Sequence, residues 1–199
     1  MDTGSWQLAS LSAADVWRRL SADLDAAAAS ARHPLHLVTV VTVGADGSPE
    51  SRTVVLRGFD AERRELWFHT DIRSPKAGQI ARDRRVALHW YDARARIQIR
   101  IAALAEVHHA DSIARDAWLV SQPMSRACYG SAAAPGTPLP EFPAAPEPLE
   151  ATDSAGLANF AVIRCGFAAV ELLALHVSGH ERILLRLDGD SPTSTILAP

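Results

Sequence analysis

The residues that could do chemistry gather between positions 52 and 76. Arg52 and Arg57 stand on one β-branched run, Thr70 ends another, and Arg73, Ser74 and Lys76 follow at once. Ser74-Pro75 predicts a helix start, with serine at the cap and proline at the first helical position, where its missing N–H costs nothing. Such a helix end carries a partial positive charge and commonly binds phosphate through free backbone N–H groups. Arg52 offers phosphate oxygens two donors, Lys76 a point charge, and Thr70 and Ser74 hydroxyls. Lys76 is the only lysine in the chain, which singles out its position. The same residues would also suit a capped helix among solvated charges, and spacing alone leaves both readings open.

Other reactive types are scattered. His108-His109 with Asp111 suggests a metal, but adjacent strand residues point to opposite faces, so a solvated strand end is expected. His33 and His36 have no further ligand at useful spacing, and no metal site is expected. Cys128 and Cys165 lie far apart and form neither a disulfide framework nor a metal knuckle. A reduced, cytoplasmic protein follows as the simplest expectation.

These side chains need a scaffold, and the hydrophobic period supplies one. Residues 11–30 read as a helix, with Ser12 at the cap and Val16, Leu20 and Leu24 at spacing four. From residue 35 the period changes. The runs 35–43 and 51–59 flank Ala45-Asp46-Gly47-Ser48-Pro49 and predict a β-hairpin, with a third strand at 65–70. A short helix from Ser74 to about Arg82 precedes strands at 85–91 and 95–108, and Asp111 caps a helix at 112–120. Residues 135–148 hold six of the twelve prolines and predict an extended loop. Strands at 159–165, 168–176 and 182–187 complete the pattern. About eight strands and three helices without βαβ alternation predict a mostly β fold, an antiparallel barrel with flanking helices. The expected organisation is one domain over residues 1–199, with a helical segment at 1–34.

Composition narrows the partners. The 199 residues are 48% hydrophobic and 22% charged, enough apolar surface for a sizeable core. Net charge is −3, from 20 basic and 23 acidic residues, which argues against a general nucleic-acid or membrane-surface binder. No apolar run approaches the roughly 18–20 residues of a membrane span. Met1 to Trp6 shows no basic region followed by an apolar one, so no secretory signal is expected.

The run Arg52-Thr53-Val54-Val55-Leu56-Arg57, then Leu66-Trp67-Phe68-His69-Thr70-Asp71 and Arg73-Ser74-Pro75-Lys76, resembles the pyridoxamine 5′-phosphate oxidase family. The likeness is narrower to its oxidase-related, FMN-binding branch. It continues through Arg96-Ile97-Gln98-Ile99-Arg100-Ile101, Asn159-Phe160-Ala161-Val162, Val170-Glu171-Leu172 and His180-Glu181-Arg182, and ends in Leu197-Ala198-Pro199. The resemblance implies a Greek-key, FMN-binding split β-barrel that works as a homodimer with flavin between subunits. It implies Arg52 and Lys76 as phosphate grips with Ser74 beside them, and Val54, Val55 and Leu56 as the strand whose backbone runs along the flavin ring. Arg57 and Thr70 would also contact the cofactor, as would Gln98 and the late Arg182.

Around the substrate the pattern departs from the family's true oxidases. Those use a lysine, a tyrosine, two arginines, a serine and a histidine. This chain has Arg57, Trp118, Gln122, Arg126 and Ser178 at matching positions and retains only His180. Arg57, Arg126 and His180 are the candidate substrate contacts. The resulting expectation is an FMN-dependent oxidoreductase acting on a small anionic molecule. The alternative is a flavin-binding, sensing or reductase-like protein without oxidase turnover. A barrel holding haem or a deazaflavin is a third reading, and an intact phosphate grip argues against haem.

Overall fold

A computed structural model of the chain describes residues 6–199. The expectation drawn from Met1–Ser5 lies outside the described residues. Helix α1 (Ala13–Ala29) starts where Ser12 accepts from the Asp15 amide, and it buries Val16, Leu20, Leu24 and Ala27 on the predicted stripe. The strands β1 (Leu37–Val43) and β2 (Pro49–Val55) form the predicted hairpin, with Gly47 at φ +84° in its turn. The run expected as one strand over 51–59 breaks after Val55. The Leu56 amide donates to the His36 carbonyl, and the chain re-enters the sheet as β3 (Gly58–Asp60) against β4 (Glu65–Asp71).

Helix α2 (Pro75–Arg82) leads to the long hairpin β5 (Arg85–Asp92) and β6 (Ile97–His109). Helix α3 (Ser112–Val120) is capped by Asp111 as expected. Next come α4 (Pro123–Arg126), a 3-10 turn (Ala127–Tyr129) and α5 (Ser154–Asn159), then β7 (Phe160–Gly166), β8 (Ala169–Ala174), β9 (Glu181–Arg186) and β10 (Thr193–Leu197). The two short helices and β10 had no counterpart in the sequence reading. Residues 135–148 contain no helix or strand, as their prolines require.

All pairing is antiparallel, and β6 divides the sheet. Its first residues pair with β8, and its last pair with β7. From β6 one branch runs β8–β9–β10, a second runs β7–β4–β3, and from its other edge a third runs β5–β1–β2. Because α2 carries the chain from β4 to β5, which lies beside β1, the strands follow a Greek-key path. Inside, Leu66, Phe68, Leu88, Trp90, Ile97, Ile99 and Ile163 form the main core with the buried stripe of α1. Outside β4 and β7, Trp118, Phe160 and Val162 pack as a second cluster with Trp67 and Tyr129 against it. Among the described residues, no helix is long and apolar enough to cross a membrane.

Candidate functional site

Among the described residues, strand β2 has one strand neighbour, β1, and its other edge is unpaired until the Arg57 amide donates to Trp67 O. A cleft of 490 Å³ runs along that edge. Its lining includes Arg52, Val54, Val55 and Arg57 from the β2 side, and His69, Thr70 and Asp71 from β4. Lys76 closes one end, while Met124, Cys128, Tyr129 and Pro135 form the far wall.

Two mechanisms hold the basic end. Lys76 Nζ donates to Thr70 Oγ1 at 2.9 Å, and the Thr70 and Ser74 hydroxyls lie 3.1 Å apart. Ser74 stands at the N-cap position of α2, but its side chain makes no cap bond. This corrects the expected serine cap: the hydroxyl faces Thr70 and Lys76 instead. Arg52 donates to Thr42 Oγ1, to the Glu50 carbonyl at 2.9 Å and to Gln79 Oε1 at 3.2 Å. Burial, and then the Arg52 charge, push the Lys76 ammonium pKa down, while Asp71 pulls the other way. Asp71 is itself taken up by Arg73, which meets both carboxylate oxygens at 3.0 and 2.7 Å.

Charge balance distinguishes this cleft from two larger cavities, of 660 and 610 Å³. In the 660 Å³ cavity Arg84 faces Glu106, Arg164 faces Glu65, and Arg85 faces Asp83. The 610 Å³ cavity sets Arg19 against the Trp6 ring and places Asp23 and Asp92 nearby. In the β2 cleft, by contrast, the carboxylates that Arg52 and Lys76 meet among the described residues are Glu50, at 3.4 Å on an exposed side chain, and the already paired Asp71. An anion is the ligand such a site favours.

The middle of the cleft is polar without added charge. Burial, and then Arg57, push His69 down to about 4, so its ring is neutral at pH 7. Its edge packs on Phe160, with centroids 4.8 Å apart. Burial raises the Tyr129 phenol well above its ordinary value. Arg57 is therefore the one cation lining that part of the cleft among the described residues.

The structure thus brings together Arg52, Val54, Val55, Arg57, Thr70 and Lys76, with Ser74 directly behind. Leu56 is not in that lining: its side chain is fully buried in the main core and its amide donates to the His36 carbonyl. Arg126 is also turned away: it is 4% exposed and donates to the carbonyls of Leu149, Trp118 and Ser121. Trp118 is buried and donates to Ala151 O at 2.8 Å. Gln98 and Arg182 lie elsewhere, in register with Leu173 between them on adjacent strands. Arg182 is paired with Glu171 at 2.8 Å, and His180 is exposed in the turn before β9.

Sequence reasoning missed His69, Asp71, Cys128 and Tyr129 in the cleft lining, and Thr42 and Gln79 behind Arg52. Alternation along β4 sets His69 opposite the core residues Leu66 and Phe68, a signal that could have found it. Cys128 and Tyr129 arrive from a distant 3-10 turn and leave no local signal.

Residues 14–109 match the family described as pyridoxamine 5′-phosphate oxidase, FMN-binding domain. A pyridoxine/pyridoxamine 5′-phosphate oxidase of Cupriavidus metallidurans is 36% identical over 88 residues, 44% of this chain and 39% of that protein. The chain thus spans less than half the length of that relative. A pyridoxamine 5′-phosphate oxidase-related, FMN binding protein from Nostoc punctiforme superposes with TM-score 0.75 at 26% identity, over 92% of this chain and 97% of that one. PhzG from Burkholderia lata, solved with tetrahydrophenazine-1-carboxylic acid, shares the fold at TM-score 0.67 and 22% identity, over 92% and 90% of the two chains. Residues 14–109 thus resemble the FMN-binding domain of pyridoxamine 5′-phosphate oxidase, and a similar split-barrel fold extends over 92% of the chain in the FMN binding protein from Nostoc punctiforme.

Proposed function

We propose that the β2 cleft holds FMN by its phosphate and that the chain is an FMN-dependent oxidoreductase for a small anionic molecule. The observation that carries this reading is the basic end, where Arg52 and Lys76 share a half-buried site without a free carboxylate between them. Its donors fit a phosphate: one guanidinium, one ammonium, two hydroxyls and the N-terminus of α2. Bound FMN would supply hydride chemistry that side chains cannot. The free edge of β2 at Val54 and Val55 offers backbone donors and acceptors to a flat ring. Arg57 would attract the anionic group of the substrate, and neutral His69 and Tyr129 add no charge to compete with it. His180 remains a candidate substrate contact, whereas Arg126 is engaged in holding α3 and the following loop.

The chain is proposed to work as a homodimer. Gln98 and Arg182 belong to the implied flavin site yet lie outside the cleft of their own chain. The outward sides of β1, β5 and β6 also expose Leu37, Tyr91 and Leu104 by 55%, 51% and 56%. Two copies meeting there would cover these side chains and supply the second set of contacts. Cys128 and Cys165 are both free thiols, in keeping with a reducing, cytoplasmic setting.

The experiment has two arms. Arg52→Ala and Lys76→Ala should each weaken FMN roughly 10- to 100-fold, from one lost charge-assisted bond, and leave riboflavin nearly unchanged. Equal losses for both flavins would contradict the phosphate role. Anaerobic mixing of the FMN-loaded protein with pyridoxine and pyridoxamine 5′-phosphates, then with other small anions, should bleach the flavin band with a true substrate. Retained FMN that no anion reduces would favour a flavin-binding protein without turnover.

A further inference from the structure

Behind Arg52 lies a buried polar pair that the cofactor reading does not use. Thr42 on β1 is 1% exposed, and Gln79 on α2 is 5% exposed. The Thr42 hydroxyl donates to Gln79 Oε1 at 2.5 Å, and Arg52 donates to both, through Nη1 to Thr42 and Nη2 to Gln79. Arginine has only donors, so the face Gln79 turns to it must be the amide oxygen. Thr42 accepts from Arg52 and spends its own proton on Gln79, which closes the triad. The arrangement joins three elements at the basic end of the cleft: β1, β2 and α2.

We propose that Gln79, backed by Thr42, is the positioning residue that aims the Arg52 guanidinium into the cleft while leaving its full charge for a phosphate. This inference rests on the flavin-phosphate reading above. Its physical content is the choice of an amide over a carboxylate. A buried carboxylate at the same distance would hold Arg52 equally well but would neutralise it, as Asp71 does for Arg73 in the next network. An amide oxygen fixes the direction of the donors and adds no charge. Arg52 and Lys76 therefore stay jointly cationic, and each keeps the other in need of an anion. The side chain of Glu50, at 3.4 Å and 46% exposed, is too solvated to cancel that charge.

The test compares FMN and riboflavin affinities of the full chain by flavin fluorescence titration. Gln79→Glu keeps the shape and adds the charge. It should cut FMN affinity roughly 10- to 100-fold, the cost of a neutralised charge-assisted contact, with riboflavin affinity nearly unchanged. Gln79→Met removes the acceptor without adding charge and should give a smaller loss confined to FMN. Thr42→Ser should restore wild-type preference where Thr42→Val does not. A merely structural role would lower the melting temperature and move both flavins together, which would overturn the proposal. Should Gln79→Glu fail to fold, the Gln79→Met and Thr42 pairs decide by the same ratio. Wild-type protein binding both flavins equally would overturn the phosphate reading and this inference with it. A wild-type preference for FMN that survives in Gln79→Glu would overturn this inference alone.

Discussion

Acidification should destabilise the apoprotein through His69. The ordinary imidazole pKa of 6.5 falls to about 4 in the fold, because the ring is buried and Arg57 stands near it. The unfolded chain therefore takes up a proton between these values that the folded chain refuses, and stability rises with pH across the window. The contribution is fully present above pH 6.5 and is lost as pH falls toward 4. Linkage gives a loss of about 2 kcal/mol at pH 5 and about 3 kcal/mol at pH 4 relative to neutral pH. That is a large part of the 5–15 kcal/mol typical of a whole domain. The assay is urea unfolding followed by tryptophan fluorescence at pH 7, 6, 5 and 4, for wild type and His69→Phe. Phenylalanine keeps a flat ring beside Phe160 and cannot titrate, so groups that titrate in both proteins cancel in the difference. Wild type should lose stability faster than the variant by the amounts above. Parallel losses down to pH 4 would refute the reasoning and would mean that His69 takes a proton in the fold.

Three further outcomes follow from the packing. Arg126→Leu should cost at least about 2 kcal/mol in chemical unfolding, because it strips the donors from three carbonyls; a substrate role would lower substrate affinity at unchanged stability. Gly58→Ala would set its Cβ 1.9 Å from Trp67 Cζ2, across the strand pair beside the cleft, so the ring must move. A loss of about 1–3 kcal/mol is expected on the same unfolding curves, and none would show that Trp67 repacks freely. Sedimentation of the wild type should give a dimer, and Leu37→Glu or Leu104→Glu should shift it to monomer with weaker flavin binding. A monomer that holds FMN normally would remove the two-chain site.

Much of the fold was legible because its strongest signals are local. The stripe of α1, the turn at Gly47 and the alternation of β6 each follow from a period of 3.6 or 2 within one segment. The break after Val55 was not legible, since nothing in that β-branched run shows that the Leu56 amide will be claimed by His36. Strand β10 was missed because its residues are mostly exposed and lack a buried face to set the period. At the site, Arg52, Thr70, Ser74 and Lys76 were legible as one sequence cluster beside a proline-marked helix start. The cleft's far wall was not, because it is built by tertiary packing of the 3-10 turn on Phe160 and Trp118. Arg126 shows the opposite failure. Its type suits a substrate anion, but burial turns every assigned donor to the backbone.

If the β2 cleft holds FMN through its phosphate, retention of the two flavins must differ. Purified protein is mixed with FMN or with riboflavin, passed through a desalting column and read by absorption. Flavin bands should stay with the protein after FMN and largely wash out after riboflavin. Protein that emerges colourless from the FMN mixture would contradict FMN binding in the cleft.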